Sequence, residues 1–276
     1  MPDIRDNSPQ HHIVHMCRLL HDPRMNIVTW NVNSLNVRLP HLLDYLNEHQ
    51  PDIVALQETK LPDEKFPKEE IEAAGYQVVF SGQKTYNGVA IVTKTPATGI
   101  ETEIPNLDDP QRRVLAATIE GVRVVSIYIP NGQEVGSEKY DYKFCWLHAF
   151  RDYLSTQLAA HEKLIVLGDF NIAPADIDVH NPKRWQGKIM CSDREREFYQ
   201  SLLALGLTDS IRALYPDEPI HSWWDYRMNA YRRGWGIRID HLLTTTALTP
   251  ISGGVHADER GKERPSDHAP VWLEVA

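Results

Sequence analysis

Short β-branched runs recur from "NIVTWNV", just after Met25, to "VWLEV" at the C-terminal end, and most of them stop in acids or amides. Between these two lie "DIVALQ", "GVAIVTK", "RVLAATIE", "VRVVSIYI", "KLIVLGDF" and "DHLLTTT", each bounded by Gly, Pro, Asn or Asp, which is the pattern of buried strands. Amphipathic segments separate some of them. "LPHLLDYLNEHQ" sets Leu42, Leu43 and Leu46 at helical spacing, and the stretch from Tyr140 to about His161 gathers Phe144, Leu147, Phe150, Tyr153, Leu154 and Leu158 on one side. "DREREFYQSLLALG" predicts a third helix that stops near Gly206. The runs on either side of Gly121 predict an antiparallel hairpin, which argues against a purely parallel doubly wound sheet. Mixed sheets with helices outside, in a layered α/β arrangement, fit better.

A chain of 276 residues, 42% of them hydrophobic, buries a core of one large domain or two small ones. Its three cysteines, Cys17, Cys145 and Cys191, lie far apart without C-x-x-C spacing, so a reducing compartment is expected and neither a disulfide framework nor a zinc knuckle is. "IVHMCRLL", broken by His15 and Arg18, reads neither as a signal peptide nor as a membrane span. Residues 1–24 are His-rich without periodicity and are expected to be a disordered extension or a segment ahead of the natural start at Met25. A formal net charge of -9 argues against a nonspecific polyanion binder. It leaves a phosphate substrate open, because an acidic cleft filled by a cation reverses its local field.

The strand ends carry the chemistry. Asn31 and Asn33 follow the first run, Gln57 and Glu58 the second, Tyr128 and Asn131 close "IYIPN", Asp169 and Asn171 close "IVLGDFN", Asp240 opens "DHLL", and Ser266, Asp267 and His268 precede the last run. Singly, each has a plain structural reading: Asn31 and Asn33 as turn residues, Glu58 as an exposed strand end, Asp169 as a cap. Likewise Asp240 could pair with Arg238, Asp267 could cap a turn, and His268 could be a satisfied structural histidine. Jointly they require the same accident at one kind of place, where sheets present functional groups. Asn, Glu and Asp oxygens suit a hard divalent cation, with Glu58, Asn31 and Asp267 as a Mg²⁺ set, whereas no H-x-x-x-H or Cys cluster supports zinc.

"SWWDYRMNAYRRGWG" interleaves Trp223, Trp224, Tyr226, Tyr231 and Trp235 with Arg227, Arg232 and Arg233, a combination that suits a DNA surface, although Trp223 reads equally as core. "HNPKRWQGK", residues 180 to 188, reads as a loop that tracks a phosphate backbone through Lys183, Arg184 and Lys188, or as a solvated loop.

"WNVNSLNVRLPHLLDYLNEHQPDIVALQETK", "NGVAIVTK", "YIPNG", "GDFNIAP", "WWDYR", "GWGIRIDHLL" and "SDHAPVWLE" resemble, in order, the endonuclease/exonuclease/phosphatase superfamily and its exonuclease III and apurinic/apyrimidinic (AP) endonuclease branch. The match runs from about Met25 to the C-terminus and implies a single domain, 25–276. It implies a DNase I-like four-layer αββα sandwich of two mixed sheets, with the active site at one sheet edge. Glu58 matches the principal metal ligand, with Asn31, Asp267 and Asn33 beside it. Asp169 matches the acid that activates the attacking water, Asn171 the amide that holds the water or the developing charge, and Tyr128 a phosphate-contacting tyrosine. His268, oriented by Asp240, matches the phosphate-binding imidazole.

The implied enzyme is a Mg²⁺-dependent DNA repair nuclease, with Mn²⁺ as a substitute, cleaving 5′ to abasic sites and at 3′ ends. Its implied partner is double-stranded DNA with abasic sites, nicks or 3′ blocking groups, met by a cytoplasmic monomer without membrane contact. The resemblance places Trp224 with Ile237 or Ile239 around the pocket for a baseless sugar, and Asn131, Arg227 and the basic loop against DNA. Many bacterial relatives carry a small residue near His180, so a bulky imidazole there is expected to disfavour internal abasic sites and favour 3′ trimming. The alternative is a superfamily phosphatase acting on a small or lipid phosphoester.

Overall fold

The two runs flanking Gly121 form the expected hairpin: β6 (Val114–Ile119) and β7 (Val122–Tyr128) pair antiparallel, with Ile119 opposite Val122. Only Glu120 and Gly121 remain for the turn, and both take positive φ, 48° and 82°, as a twist-matched two-residue loop requires. The computed structural model describes residues 24–276. The extension expected over residues 1–24 therefore lies, Arg24 apart, outside the described residues.

The other strands are β1 (Met25–Asn31), β2 (Ile53–Gln57), β3 (Gln77–Ser81), β4 (Val89–Thr93), β5 (Thr98–Glu101), β8 (Leu164–Asp169), β9 (Thr208–Asp209), β10 (Asp240–Thr244), β11 (Pro250–Val255) and β12 (Val271–Val275). They build two six-stranded mixed sheets, in the orders β11-β12-β1-β2-β4-β3 and β5-β6-β7-β8-β10-β9. The inner faces meet through Ile27, Ala55, Ile91, Leu115, Val124, Ile165 and Leu242, all buried. This is apolar area removed from water on two faces at once, the main stabilising term of such a fold.

Helices cover the outer faces. α1 (Leu35–His49) packs Leu42, Tyr45 and Leu46 on Val28, Trp30 and Val54 of the first sheet. After the short α2 (Lys68–Ala73), α3 (Glu138–Ala160) sets Phe144, Leu147, Phe150 and Leu154 against Val125, Leu164 and Val166 of the second. α1 begins at Leu35, ahead of the "LPHLLDYLNEHQ" segment, and carries Pro40 within it. The ring removes one donor, to Asn36, whose exposed position leaves water to replace it. α3 starts behind a Ser137 cap, whose hydroxyl accepts from Tyr140 N at 3.2 Å. The loop reading of residues 180–188 is corrected in part: Pro182–Trp185 is a helical turn, α4, capped by Asn181 with Pro in its first turn. α5 (Asp193–Leu203) and α6 (Ser210–Leu214) complete the set. No helix among the described residues is long and apolar enough to cross a membrane.

The layering brings the polar ends of strands from both sheets to one edge. In the first sheet Asn31 lies opposite Gln57, and in the second Asp169 lies opposite both Tyr128 and Asp240. Gly168 makes this approach possible, since a Cβ there would stand 1.9 Å from the Ile127 carbonyl oxygen.

Candidate active site

Asn31, at the end of β1, reaches across the sandwich. Its Nδ2 donates to Glu58 Oε1 at 2.8 Å and to Asp169 Oδ2 at 2.9 Å, so one amide joins the acids of the two sheets. Its oxygen accepts from the Asn33 backbone N–H at 3.0 Å. Glu58 follows β2 with φ +52°, and Asn171 follows β8 with φ +50°, left-handed backbone that a non-glycine residue holds only where its surroundings demand it. Glu58 is half-buried, and Lys60 Nζ pairs with its Oε2 at 2.8 Å.

Asp169 is buried, with Oδ1 taking the Asn171 backbone N–H at 2.9 Å. Asn171 joins the neighbouring loop: its Nδ2 donates to the Ile129 carbonyl at 3.0 Å and its Oδ1 accepts from Asn131 at 2.9 Å. An amide nitrogen carries two hydrogens, so one remains to face the site. Asp240 does not pair with Arg238. Arg238 bonds to Asp178 and Asp209, while Asp240 accepts from Ser222 Oγ at 2.6 Å and holds His268 Nδ1 at 2.9 Å. That contact fixes the imidazole and turns Nε2 toward Asp169 Oδ2, 3.7 Å away.

These contacts set the protonation states. Burial, reinforced by Asp240 and Glu58 and opposed by His268, lifts Asp169 to about 7. His268 rises to about 10: burial works against its charge, but the Asp240 and Asp169 carboxylates outweigh that. Burial and the Glu58 and Asp169 charges push the Tyr128 phenol well above its ordinary value, so it stays a hydrogen-bond donor. The Arg113 guanidinium lies 4.6 Å from the centre of the Tyr128 ring.

Ligand atoms of Glu58, Asp169 and His268 fall within 4.8 Å of one another. Asp267 stands at the rim with both oxygens engaged, Oδ1 by Asn33 Nδ2 and Oδ2 by Trp223 Nε1, each at 2.9 Å. His268, held protonated, offers no lone pair to a metal, so the candidate donors are the oxygens of Glu58 and its neighbours, which fit a hard divalent cation, with half-buried Glu58 the more accessible of the two acids.

The residues expected along DNA divide. Arg227, Lys183, Arg184 and Lys188 are exposed, Arg227 paired with Asp225 at 2.9 Å. His180 is half-buried, its ring stacked 6.0 Å from Trp235 and its N–H donating to the Gly236 carbonyl. Ile237 and Ile239 are fully covered by Ala173, Val179, Met190 and Cys191. The placement of Trp224 with them is corrected: Trp224 is buried beside Ala230, Ala269 and Tyr231, and it is Trp223, partly exposed, that packs with Ile237 and Ile239 and reaches Asp267. Adjacent residues of an extended segment face opposite ways, and the bridge from Trp223 to Ile237 decides which one faces the site.

Sequence reasoning named Ser266 among the strand-end groups without giving it a role, and it missed Lys60, Ser222 and Lys143. Ser266 Oγ donates to the Asn31 carbonyl at 2.6 Å, and Lys143 supports the asparagine loops from below. Only Lys60 had a signal, its place in "QETK".

A sandwich of two mixed sheets carrying acids, amides and one carboxylate-held histidine at a shared edge defines a class of phosphoester-cleaving proteins. The Endonuclease/Exonuclease/phosphatase family profile matches residues 28–268, and the chain belongs to that family. Exodeoxyribonuclease III of Haemophilus influenzae is 37% identical over 266 residues, covering 91% of this chain and 99% of its own. Among solved structures, the 3′ phosphatase NExo from Neisseria bound to a product DNA hairpin is 47% identical, with a TM-score of 0.90 and coverage of 91% and 99%. An AP endonuclease from Archaeoglobus fulgidus is 36% identical, with a TM-score of 0.87 and coverage of 90% and 98%. The protein is accordingly a phosphodiester hydrolase of the exonuclease III and AP endonuclease type, as the sequence motifs implied.

Proposed function

We propose that this protein is a Mg²⁺-dependent DNA repair nuclease that hydrolyses phosphodiesters 5′ to abasic sites and at 3′ ends. The observation that carries the reading is the meeting of Glu58, Asp169 and His268 across the two sheets, a metal-binding acid beside a base and an imidazolium. Glu58 would hold the cation, with Asn31, Asn33 and Asp267 around it. A bound Mg²⁺, or Mn²⁺ in its place, supplies positive charge to the phosphate oxygens and to the leaving alkoxide.

The chain's own groups do the rest. Asp169, poised near neutral pH, takes the proton of the attacking water. His268, kept protonated by Asp240, and Tyr128 donate to the nonbridging oxygens, where charge accumulates in the transition state. The free N–H of Asn171 aligns the water or the phosphate. Trp223 forms the apolar wall beside the reacting sugar, with the buried Ile237 and Ile239 packed behind it, while Asn131, Arg227, Lys183 and Arg184 contact the DNA backbone. One chain supplies every group, as a monomer working on DNA in the cytoplasm requires.

A second reading, 3′-end processing with little internal incision, is favoured by His180. Its imidazole is held by Gly236 and stacked on Trp235, beside the strand-like segment that carries Trp223's partner Ile237, and narrows the approach that a looped-out internal abasic sugar needs. The likeness to a 3′ phosphatase points the same way.

Purified protein with Mg²⁺ on two labelled duplexes, one with an internal abasic analogue and one with a 3′-phosphate at a nick, tests both readings. Cleavage of both supports the first reading and cleavage of the second alone the other, whereas activity on neither points to the phosphatase alternative. An unchanged ratio of the two activities in His180→Gly removes His180 from the argument.

A further inference from the structure

The last turn of α1 brings Glu48 and His49 against Glu259, in the 3₁₀ turn Ala257–Gly261, outside the catalytic cluster. One carboxylate or imidazole atom from each lies within 4.8 Å of those of the other two. Glu259 is only 2% exposed, and Lys262 Nζ takes its Oε1 at 2.6 Å, yet its Oε2 has no hydrogen-bond partner. A buried carboxylate oxygen without a partner is costly unless something positive reaches it.

The imidazole of this group is fixed in advance. His49 stacks on His256 at 4.2 Å and 18°, with the Tyr45 ring at 4.4 Å. His256 is itself held by the Tyr45 hydroxyl at 2.9 Å and stacks on Trp272. A ligand ring locked by packing loses little freedom on binding. Glu48 is exposed and supplies both the way in and the movement needed. Metal–ligand distances of about 2.0–2.2 Å set donor atoms roughly 3.4 Å apart, so the three side chains would draw together from their present separation of up to 4.8 Å.

We propose that Glu48, His49 and Glu259 form a second cation site, for a borderline transition metal of the zinc class, with water completing the shell. One imidazole with two carboxylates suits Zn²⁺ better than Mg²⁺, which favours oxygen-only shells. The site clips the end of α1 to the turn that runs into Ser266, Asp267 and His268. Tyr45 packs on Trp30 at 5.7 Å, and Trp30 Nε1 donates to the His268 carbonyl at 3.2 Å, so the clip braces the same wall of the active site from outside. No spacing in the sequence shows this group, because its halves come from the two ends of the chain.

Equilibrium dialysis of the full chain against Zn²⁺, with bound metal measured by mass spectrometry, tests the site. His49→Ala and Glu259→Gln should each hold one equivalent fewer than the parent while cleaving DNA with Mg²⁺ as before, and Glu58→Gln should keep that equivalent. Should His49→Ala fail to fold by circular dichroism, Glu48→Gln at an exposed position replaces it. A parent that binds no Zn²⁺ outside the Glu58 site, or unchanged stoichiometry in the folded variants, overturns the proposal. In crystals soaked with Zn²⁺, an anomalous peak between the three residues supports it, and a peak at Glu58 alone refutes it.

Discussion

From a fully buried position, Lys143 Nζ donates to the main-chain carbonyl of Asn171 at 2.9 Å, and also to that of Asn131 at 3.3 Å. Its charge is met by Glu195, which in turn accepts the backbone N–H groups of Met190 and Ser192 at the start of α5. One ion pair in the core thus anchors both asparagine loops of the site. Lys143→Met strands the Glu195 carboxylate and should cost about 3–5 kcal/mol in urea unfolding. Lys143→Met with Glu195→Gln removes the stranded charge and keeps one acceptor oxygen for those N–H groups, so it should recover part of that stability but not the activity, because the two carbonyls remain without their donor.

Asp169→Asn keeps the acceptor for the Asn171 N–H but removes the proposed base. The rate of phosphodiester cleavage in single-turnover assays should fall by on the order of 10²–10⁴, with the melting temperature little changed. Chelation by EDTA should abolish the parent's activity, and Mg²⁺ or Mn²⁺ should restore it.

Trp223 and Trp224 separate binding from folding. Trp224→Ala empties a buried site and should destabilise by about 3–5 kcal/mol. Trp223→Ala, at a partly exposed position, should leave thermal stability closer to the parent. Its loss should appear as weaker duplex binding in a titration by fluorescence anisotropy.

The buried cluster around Arg238 should lose its share of the stability to acid in two stages. Burial and Arg238 lower His241 from 6.5 to about 4, and its Nδ1 faces the Arg238 guanidinium at 3.1 Å. The unfolded chain therefore takes up a proton that folded His241 declines, and the His241 contribution falls as pH drops from about 6.5 toward 4, opposed by Asp169, whose raised value in the folded chain adds stability over the same range. Asp178 and Asp209 follow. Burial opposes their charge, but Arg238 outweighs it and holds both below the ordinary 3.8. Their contribution is present above that value and is lost as pH falls through the lower folded ones. Urea unfolding at a series of pH values should show the stability of the parent relative to His241→Asn declining as pH falls through the upper window, and both proteins losing the Asp178 and Asp209 contribution below it.

Strand periodicity and the Gly121 turn made the layered architecture legible, and the strand-end acids and amides identified the edge that matters. Two-residue alternation gave no means of choosing between Trp223 and Trp224, since a paired segment presents one of them and only its bridge to Ile237 says which. Asp240 stands two places from Arg238, and sequence proximity suggested a pair that tertiary packing gives to Asp178 and Asp209 instead. Lys143 read as one polar residue on a helix, because nothing local announces that a buried ammonium will meet loops from elsewhere in the chain.

The bond from Ser266 to Asn31 spans 235 residues, and that from Asn31 to Asp169 spans 138. The two acids and the imidazole therefore cannot face one another before the Ser266–His268 segment has left the ribosome: β1 waits for that segment, and β12 must dock beside it. A nuclease arranged in this way is inert for as long as synthesis has not passed His268, and any fragment that stops short of that residue stays so.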